Sequence, residues 1–100
     1  SDLNNPSGNT FFYSLEKATY LHTTSNRDYC IDYSIDQLET LLDPIACFRI
    51  NRRYIVSIRA CTNILAWTNS RLRLKIEGIN DDDIIVARER VQDFKQWLDR

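Results

Sequence analysis

Four arginines, Arg49, Arg52, Arg53 and Arg59, fall within one short stretch, with Asn51 among them and no acid from residue 44 through residue 59. Guanidinium is a permanent cation whose planar fork of donors matches phosphate oxygens and the paired acceptors on the guanine edge. A carboxamide can bond to phosphate or pair with adenine in the same groove. The chemistry these residues offer is recognition of a polyanion by charge-assisted hydrogen bonds. The same stretch carries Phe48, Ile50, Tyr54, Val56 and Ile58, so it must fill a core with one set of side chains and present cations with another.

The charge is unevenly spread. Residues 1–43 carry two bases and seven acids, residues 44–76 seven bases and no acid, and residues 77–100 four bases and seven acids, so segments of −5, +7 and −3 give the net −1. A cationic third between acidic flanks focuses a field on one face and attracts polyanions there, DNA being the one expected; a merely solvated charged surface is the plain alternative. No nucleophile–base–orienter set and no Gly-rich phosphate loop accompany the arginines, and His22 is the single histidine. The chain is therefore expected not to be an enzyme, with no catalytic residues and no cofactor. His22, alone in a strand, reads as a packing or surface residue.

One hundred residues, 43% apolar and 27% charged, describe one ordinary soluble globular domain. Apolar runs are too short to span a membrane, and the polar N-terminus lacks the apolar core of a signal peptide. Cys30, Cys47 and Cys61 are odd in number and widely spaced, which suits neither a disulfide framework nor a zinc site. They read as reduced, mostly buried thiols of a cytoplasmic protein, with no metal.

These residues need positioning elements. Residues 1–10 read as a loop or a poorly ordered lead into a domain spanning 11–100. Phe11 to Leu15 reads as an aromatic strand, with a turn near Glu16-Lys17; residues 18–24 and Tyr29 to Asp32 form a hairpin about Ser25-Asn26-Arg27-Asp28. Ser34 and Gln37 are spaced as a capping box for a short helix, with Ile35, Leu38, Leu41 and Leu42 on one face, and Asp43-Pro44 stops it. Phe48 and Ile50 alternate with Arg49 and Asn51 as a strand. Beyond Asn51 the pattern fits either a continuing strand or one helical turn. Ile64 to Trp67 and Leu72 to Ile76 pair around Thr68-Asn69-Ser70, with Leu72, Leu74 and Ile76 inward and Arg71, Arg73 and Lys75 outward. Residues 78–83 read as an acidic loop, Ile84 to Val86 as a strand, and residues 88–99 as a helix with Val91, Phe94 and Leu98 on one face. Trp67 and Trp97 read as packing residues. The sum is a mainly β domain of six or more short strands and two short helices.

In this order the residues resemble the LytTR DNA-binding domain. Phe-Arg-Ile-Asn-Arg-Arg-Tyr-Ile-Val-Ser-Ile (48–58) is similar to that family's Phe-x-Arg-x-His-Arg-Ser-Tyr-Ile-Val-Asn. Ser34-Ile35-Asp36-Gln37-Leu38-Glu39 resembles its Ser-Leu-x-x-Leu-Glu helix, and Val86-Ala87-Arg88-Glu89-Arg90-Val91 its Val-Ser-Arg-x-x-Val. The resemblance covers about residues 11–100. It implies about ten short strands in small antiparallel sheets with two short α-helices, and loops that enter successive major grooves of bent DNA. It further implies the output domain of a bacterial two-component response regulator in a phosphorelay. A receiver domain and a sensor histidine kinase would stand upstream, and two protomers would bind direct repeats. Matching positions make Asn51, Arg52 and Arg53 the central DNA contacts, Arg88, Glu89 and Arg90 the second group, and Lys17 a third.

Three departures accompany the match. Asn51 replaces the family's histidine, Arg53 its serine and Ala87 a serine that would cap the last helix, while residues 1–10 match the family's first strand poorly. Arg49, on the strand before the tip, is expected to form a structural ion pair with Asp43 or Glu39. Arg59, Arg71, Arg73 and Lys75 are expected to be solvated or to steer the DNA backbone. The competing function is a protein-interaction or dimerisation module without DNA binding.

Overall fold

The computed structural model describes residues 9–76, 79 and 84–99. Eight strands and two helices follow in the order β1 (Asn9–Leu15), β2 (Ala18–Thr23), β3 (Asp28–Ile31), α1 (Ile35–Leu41), β4 (Cys47–Arg49), β5 (Tyr54–Ser57), β6 (Ile64–Trp67), β7 (Arg71–Leu74), β8 (Ile85–Val86) and α2 (Val91–Leu98). They build an antiparallel five-stranded sheet in the order β3-β2-β1-β5-β4 and an antiparallel meander β6-β7-β8.

Consecutive aromatic residues on the central strand divide the interior. Side chains alternate along a strand, so Phe11 and Phe12 must face opposite sides of the sheet. Phe12, Leu21 and Ile55 pack with Ile35, Leu38 and Leu42 under α1. Phe11, Tyr54 and Val56 pack on the other side with Leu74 and Val86 of the meander and Phe94 and Trp97 of α2. The result is three layers, with the five-stranded sheet in the middle. Phe48, Phe94 and Trp97 join the last layer to β4 at ring separations of 5.3 to 5.8 Å, and the Trp97 indole donates to the Pro44 carbonyl at 2.9 Å.

The capping box expected at α1 is present. Ser34 Oγ accepts from the Gln37 amide at 3.1 Å, and the Gln37 side chain accepts from the Ser34 amide at 2.8 Å. The β1–β2 connection is a two-residue turn with both Glu16 (φ 50°) and Lys17 (φ 69°) left-handed, the geometry that matches strand twist in tight hairpins.

Several expectations are corrected. The described residues hold eight strands rather than the about ten that the resemblance implies, and Ile58–Ala60, Thr68–Ser70 and Arg88–Arg90 form short 3-10 turns, the last of them where the start of the final helix was expected. The ambiguity after Asn51 resolves as a bend at 51–53, then strand β5, then the first of those turns. Trp67 is not core: it is 39% exposed, with the Arg73 guanidinium 4.9 Å from its ring centre. Leu41 is 51% exposed, since only Ile35, Leu38 and Leu42 reach the sheet. Cys30 is exposed on edge strand β3, while Cys47 and Cys61 are half-buried, so the thiols are not uniformly interior. Strand β1 starts at Asn9, inside the expected leading loop, and the expected acidic loop at 78–83 lies, apart from Ile79, outside the described residues.

Candidate nucleic-acid interface

The hairpin between β4 and β5 carries the cationic tip, and its shape is fixed by one side chain. Asn51 Oδ1 accepts from the Arg53 amide at 2.7 Å and the Tyr54 amide at 3.0 Å, while Nδ2 donates to the Ile85 carbonyl at 2.7 Å. An asparagine that bonds to backbone two and three residues ahead makes an Asx turn, which bends the chain without glycine. The third bond ties the bend to β8. All three bonds use the carboxamide's own donors and acceptors, so Asn51 is built into the tip rather than projecting from it.

Arg49 holds the tip from behind. Its guanidinium donates to Asp36 at 2.6 Å and Glu39 at 2.9 Å on α1, and to the carbonyls of Asn51 at 3.1 Å and Arg52 at 2.7 Å. Burial works against its charge, but the two carboxylates outweigh it and leave its pKa above the ordinary arginine value. The structural ion pair expected of Arg49 is thus present, with Glu39 as one of the anticipated partners and Asp36 as the other acid. Two more backbone ties follow: Ser14 donates to the Arg53 carbonyl at 2.9 Å, and Ala87 to the Ile50 carbonyl at 2.9 Å.

These ties bring the expected site residues to one end of the molecule. Tyr13 pairs with Tyr54, so the Glu16-Lys17 turn ends β1 at the same sheet end as the tip, and Lys17 is exposed there. The segment 87–90 lies against the tip through Ala87 and through Arg90, which donates to the Arg49 carbonyl at 3.1 Å. Arg52 and Arg88 are exposed, and their guanidinium groups have no protein partner among the described residues. Arg53 is exposed too, steadied by a long 3.4 Å bond to the Ser14 carbonyl and by the Tyr54 ring 5.5 Å below. Glu89 is exposed beside Arg88. Ala87 offers no side-chain cap to the turn it opens, as its replacement of serine implies.

A groove of about 440 Å³ runs between the tip and this segment, lined by Asn51, Asn69, Arg71, Ile85, Ala87, Arg88 and Glu89. Asn69 was not among the expected site residues, and Arg71 was expected only to be solvated or to steer the DNA backbone. The Thr68-Asn69-Ser70 turn reaches the groove with Asn69 at φ 57° and Ser70 at φ 61°, and Arg71 stiffens it by donating to the Thr68 carbonyl at 3.0 Å and hydroxyl at 2.8 Å. The turn itself was legible from its Thr-Asn-Ser chemistry. Its place beside Asn51 was not, because that depends on how the meander docks.

His22 lies elsewhere, buried, stacked on Phe11 at 5.0 Å and bonded through Nδ1 to Asp28 at 3.0 Å, which is a packing role. Asp28 also accepts from the Tyr13 hydroxyl at 2.9 Å; burial and this carboxylate push the phenol up to about 12. Burial raises the Cys47 thiol to about 11 and the Cys61 thiol to about 12. No cluster of three or more metal-ligating side chains occurs among the described residues, and no helix among them is long and apolar enough to cross a membrane.

The sequence profile of the LytTr DNA-binding domain matches residues 7–99. No curated protein sequence matches the chain. Among solved structures, the LytTr DNA-binding domain of a putative methyl-accepting/DNA response regulator from Bacillus cereus is similar at 22% identity. It superposes with a TM-score of 0.79, over 93% of this chain and 83% of that one. At that identity the likeness speaks for the fold, while the profile spans nearly the whole sequence. The chain belongs to the LytTr DNA-binding domain family.

Proposed function

We propose that this domain binds double-stranded DNA sequence-specifically, as the output domain of a bacterial two-component response regulator that controls transcription in the cytoplasm. One observation carries the reading: four separate chain segments, at Lys17, at 51–53, at Asn69-Arg71 and at 87–90, converge on one end of the fold, and Lys17, Arg52, Arg53 and Arg88 are exposed cations there. A duplex laid across that end would meet Arg52 and Arg53 on the tip and Arg88 and Arg90 beside the groove. Exposed guanidinium groups without protein partners keep all their donors for phosphate or guanine.

Roles divide by what is already bonded. Arg52, Arg53 and Arg88 contact DNA directly. Lys17, a point charge on a rigid turn, takes a phosphate. Arg90 uses one amino group on the Arg49 carbonyl and keeps its other donors. Asn51 contributes by setting the tip's shape, and Glu89 either accepts from a cytosine amino group or turns from the phosphates. Upstream, a receiver domain phosphorylated by a sensor histidine kinase governs the output, and two protomers occupy direct repeats.

A mobility-shift assay with salt titration tests this. Each phosphate neutralised should add about 0.9 to the slope of log affinity against log salt. No retention of duplex at micromolar protein and low salt would instead favour the protein-interaction reading.

A further inference from the structure

The end of the five-stranded sheet remote from the tip holds a second, larger hollow. Strand β1 begins there and β2 and β5 end there, and β1 runs roughly 16 Å from Thr10 to Leu15 at the tip end. The pairing of β1 with β2 slips between Asn9 and Phe11, which makes Thr10 the extra residue of a β-bulge. Bulges disrupt the ladder locally and re-aim side chains. Beside this one lies a cavity of about 580 Å³, within the ordinary range for a small-molecule site, lined by Thr10, His22, Asn26, Ser57, Arg59 and Thr62 among others.

Ser57 is the residue that the fold leaves unsatisfied. It is 2% exposed at the end of β5, and its hydroxyl oxygen is buried without a hydrogen-bond partner among the described residues. A buried polar atom left unpaired costs free energy, and native proteins keep few of them. A serine hydroxyl moves between staggered positions by one torsion, so a molecule in the cavity is able to supply the partner. His22 is in a similar position. Its Nδ1 bonds to Asp28 at 3.0 Å, and an ionised carboxylate only accepts, so Nδ1 carries the proton of the neutral ring. Nε2 is then an acceptor with no partner among the described residues, on a ring held in place by its stack on Phe11. Arg59 stands exposed at the rim, on the 3-10 turn Ile58–Ala60. Cys61 ties that turn back: its amide donates to the Ile58 carbonyl at 3.2 Å and its thiol to the Ser57 carbonyl at 3.5 Å. No acid occurs among the described residues of the lining.

We infer that this cavity binds a small, hydroxyl-rich anion of the sugar phosphate class. Hydroxyl and carboxamide side chains both donate and accept, which matches the hydroxyls of a sugar. Ser57 gains its missing partner from one of them, and His22 Nε2 accepts from another. Guanidinium at the rim binds phosphate by charge-assisted hydrogen bonds, and Ala60 and Ile76 give the carbon face of the sugar an apolar wall. A purely apolar ligand would leave Ser57 and Nε2 unpaired, and a cation would meet Arg59. The site goes beyond the DNA-binding reading and does not depend on it, since it occupies the other end of the sheet.

Amide spectra of the isotopically labelled chain, titrated at millimolar concentration with glucose-6-phosphate and with ribose-5-phosphate, test the inference. At least one of them should move the amides of Thr10, Asn26, Ser57, Arg59 and Thr62 while those of Lys17 and 51–53 stay in place. The parent sugar and inorganic phosphate, each added alone, should bind about tenfold or more weaker. Arg59→Gln, at an exposed position, should bring the sugar phosphate down to the affinity of its parent sugar. Ser57→Ala should weaken the sugar phosphate about threefold or more, yet its Tm without ligand should equal or exceed that of wild type, because only an unpaired group is removed. A Ser57→Ala protein less stable than wild type, or unfolded, overturns the proposal, since the hydroxyl is then already satisfied in the free fold. Three other results also overturn it: no shift from either sugar phosphate, shifts confined to Lys17 and 51–53, or inorganic phosphate binding as tightly as the sugar phosphate. Loss of DNA retention in a mobility-shift assay leaves all these outcomes unchanged, so the two readings fail separately.

Discussion

Asn51 is where the structure makes its sharpest prediction. Replacing it with alanine removes three hydrogen bonds at once, to Arg53 N, Tyr54 N and the Ile85 carbonyl. A net intramolecular hydrogen bond contributes about 0.5–1.5 kcal/mol, and a group left unpaired in a half-buried place costs more than one that water can reach. Of the orphaned groups the Arg53 amide is exposed and regains water, while the Tyr54 amide and the Ile85 carbonyl are half-buried and regain it only in part. Asn51→Ala should therefore destabilise the domain by about 2–3 kcal/mol. For a domain of this size that lowers Tm by roughly 10–20 °C. Asn51→Asp keeps the acceptor for the two amides but sets a carboxylate oxygen against the Ile85 carbonyl, so it should lose part of the stability and not all. DNA affinity should fall for both variants without a change in which base is preferred at any position, because the tip is deformed rather than one reading contact deleted. Thermal unfolding by circular dichroism, combined with selection of bound sequences from a random pool, checks both halves. An Asn51→Ala protein as stable as wild type, with relaxed preference at a single base pair, would refute the positioning role and restore direct reading by Asn51.

Arg52→Ala should behave in the opposite way. The side chain is exposed with no protein partner among the described residues, so stability should stay within about 0.5 kcal/mol. Specific DNA binding should weaken by about 1–3 kcal/mol, and unchanged affinity in a salt-controlled shift assay would remove Arg52 from the interface. Arg49→Lys should cost about 2 kcal/mol, because an ammonium cannot reach two α1 carboxylates and two tip carbonyls together; Asp36 is 82% exposed, so most of that loss comes from the carbonyl bonds. Urea unfolding that matches wild type would contradict it. Cys30 should react with iodoacetamide at neutral pH well before Cys47 and Cys61, whose thiols burial holds up at about 11 and 12; equal rates, read by mass spectrometry, would contradict this. Since those two pKa values exceed the ordinary 9.0, the unfolded chain loses its thiol protons first as pH rises. Their contribution to stability is complete below about pH 9 and is lost as pH climbs through about 12, and Tyr13 adds a loss in the upper part of the same window. Denaturation midpoints across that range should fall for wild type and fall less for a Cys47→Ala, Cys61→Ala protein.

Much of this domain is written locally. Ser34 and Gln37 fix the start of α1, because a capping box needs only four consecutive residues. The run Phe11-Phe12 requires two opposite apolar environments, and both cores exist. Arg49 sits at the spacing where a strand turns toward a helix rich in acids, so an ion pair there was legible before its full partner set was. The cationic tip at 51–53 was likewise visible, since charge and turn-forming residues are properties of the sequence. Tertiary structure decided the rest. Whether Asn51 reads a base or bends the backbone depends on the carbonyl of Ile85, 34 residues away, which becomes its neighbour only when the meander docks under the sheet. Trp67 has the composition of a core residue and lies instead on an outward strand face, because β7 pairs with β6 and β8 in a register that turns Leu72 and Leu74 inward. Asn69 and Arg71 reach the groove for the same reason. Sequence sets what each segment can do alone; which segments share a face is set by strand register and layer stacking, and these arise only from burying the two cores together.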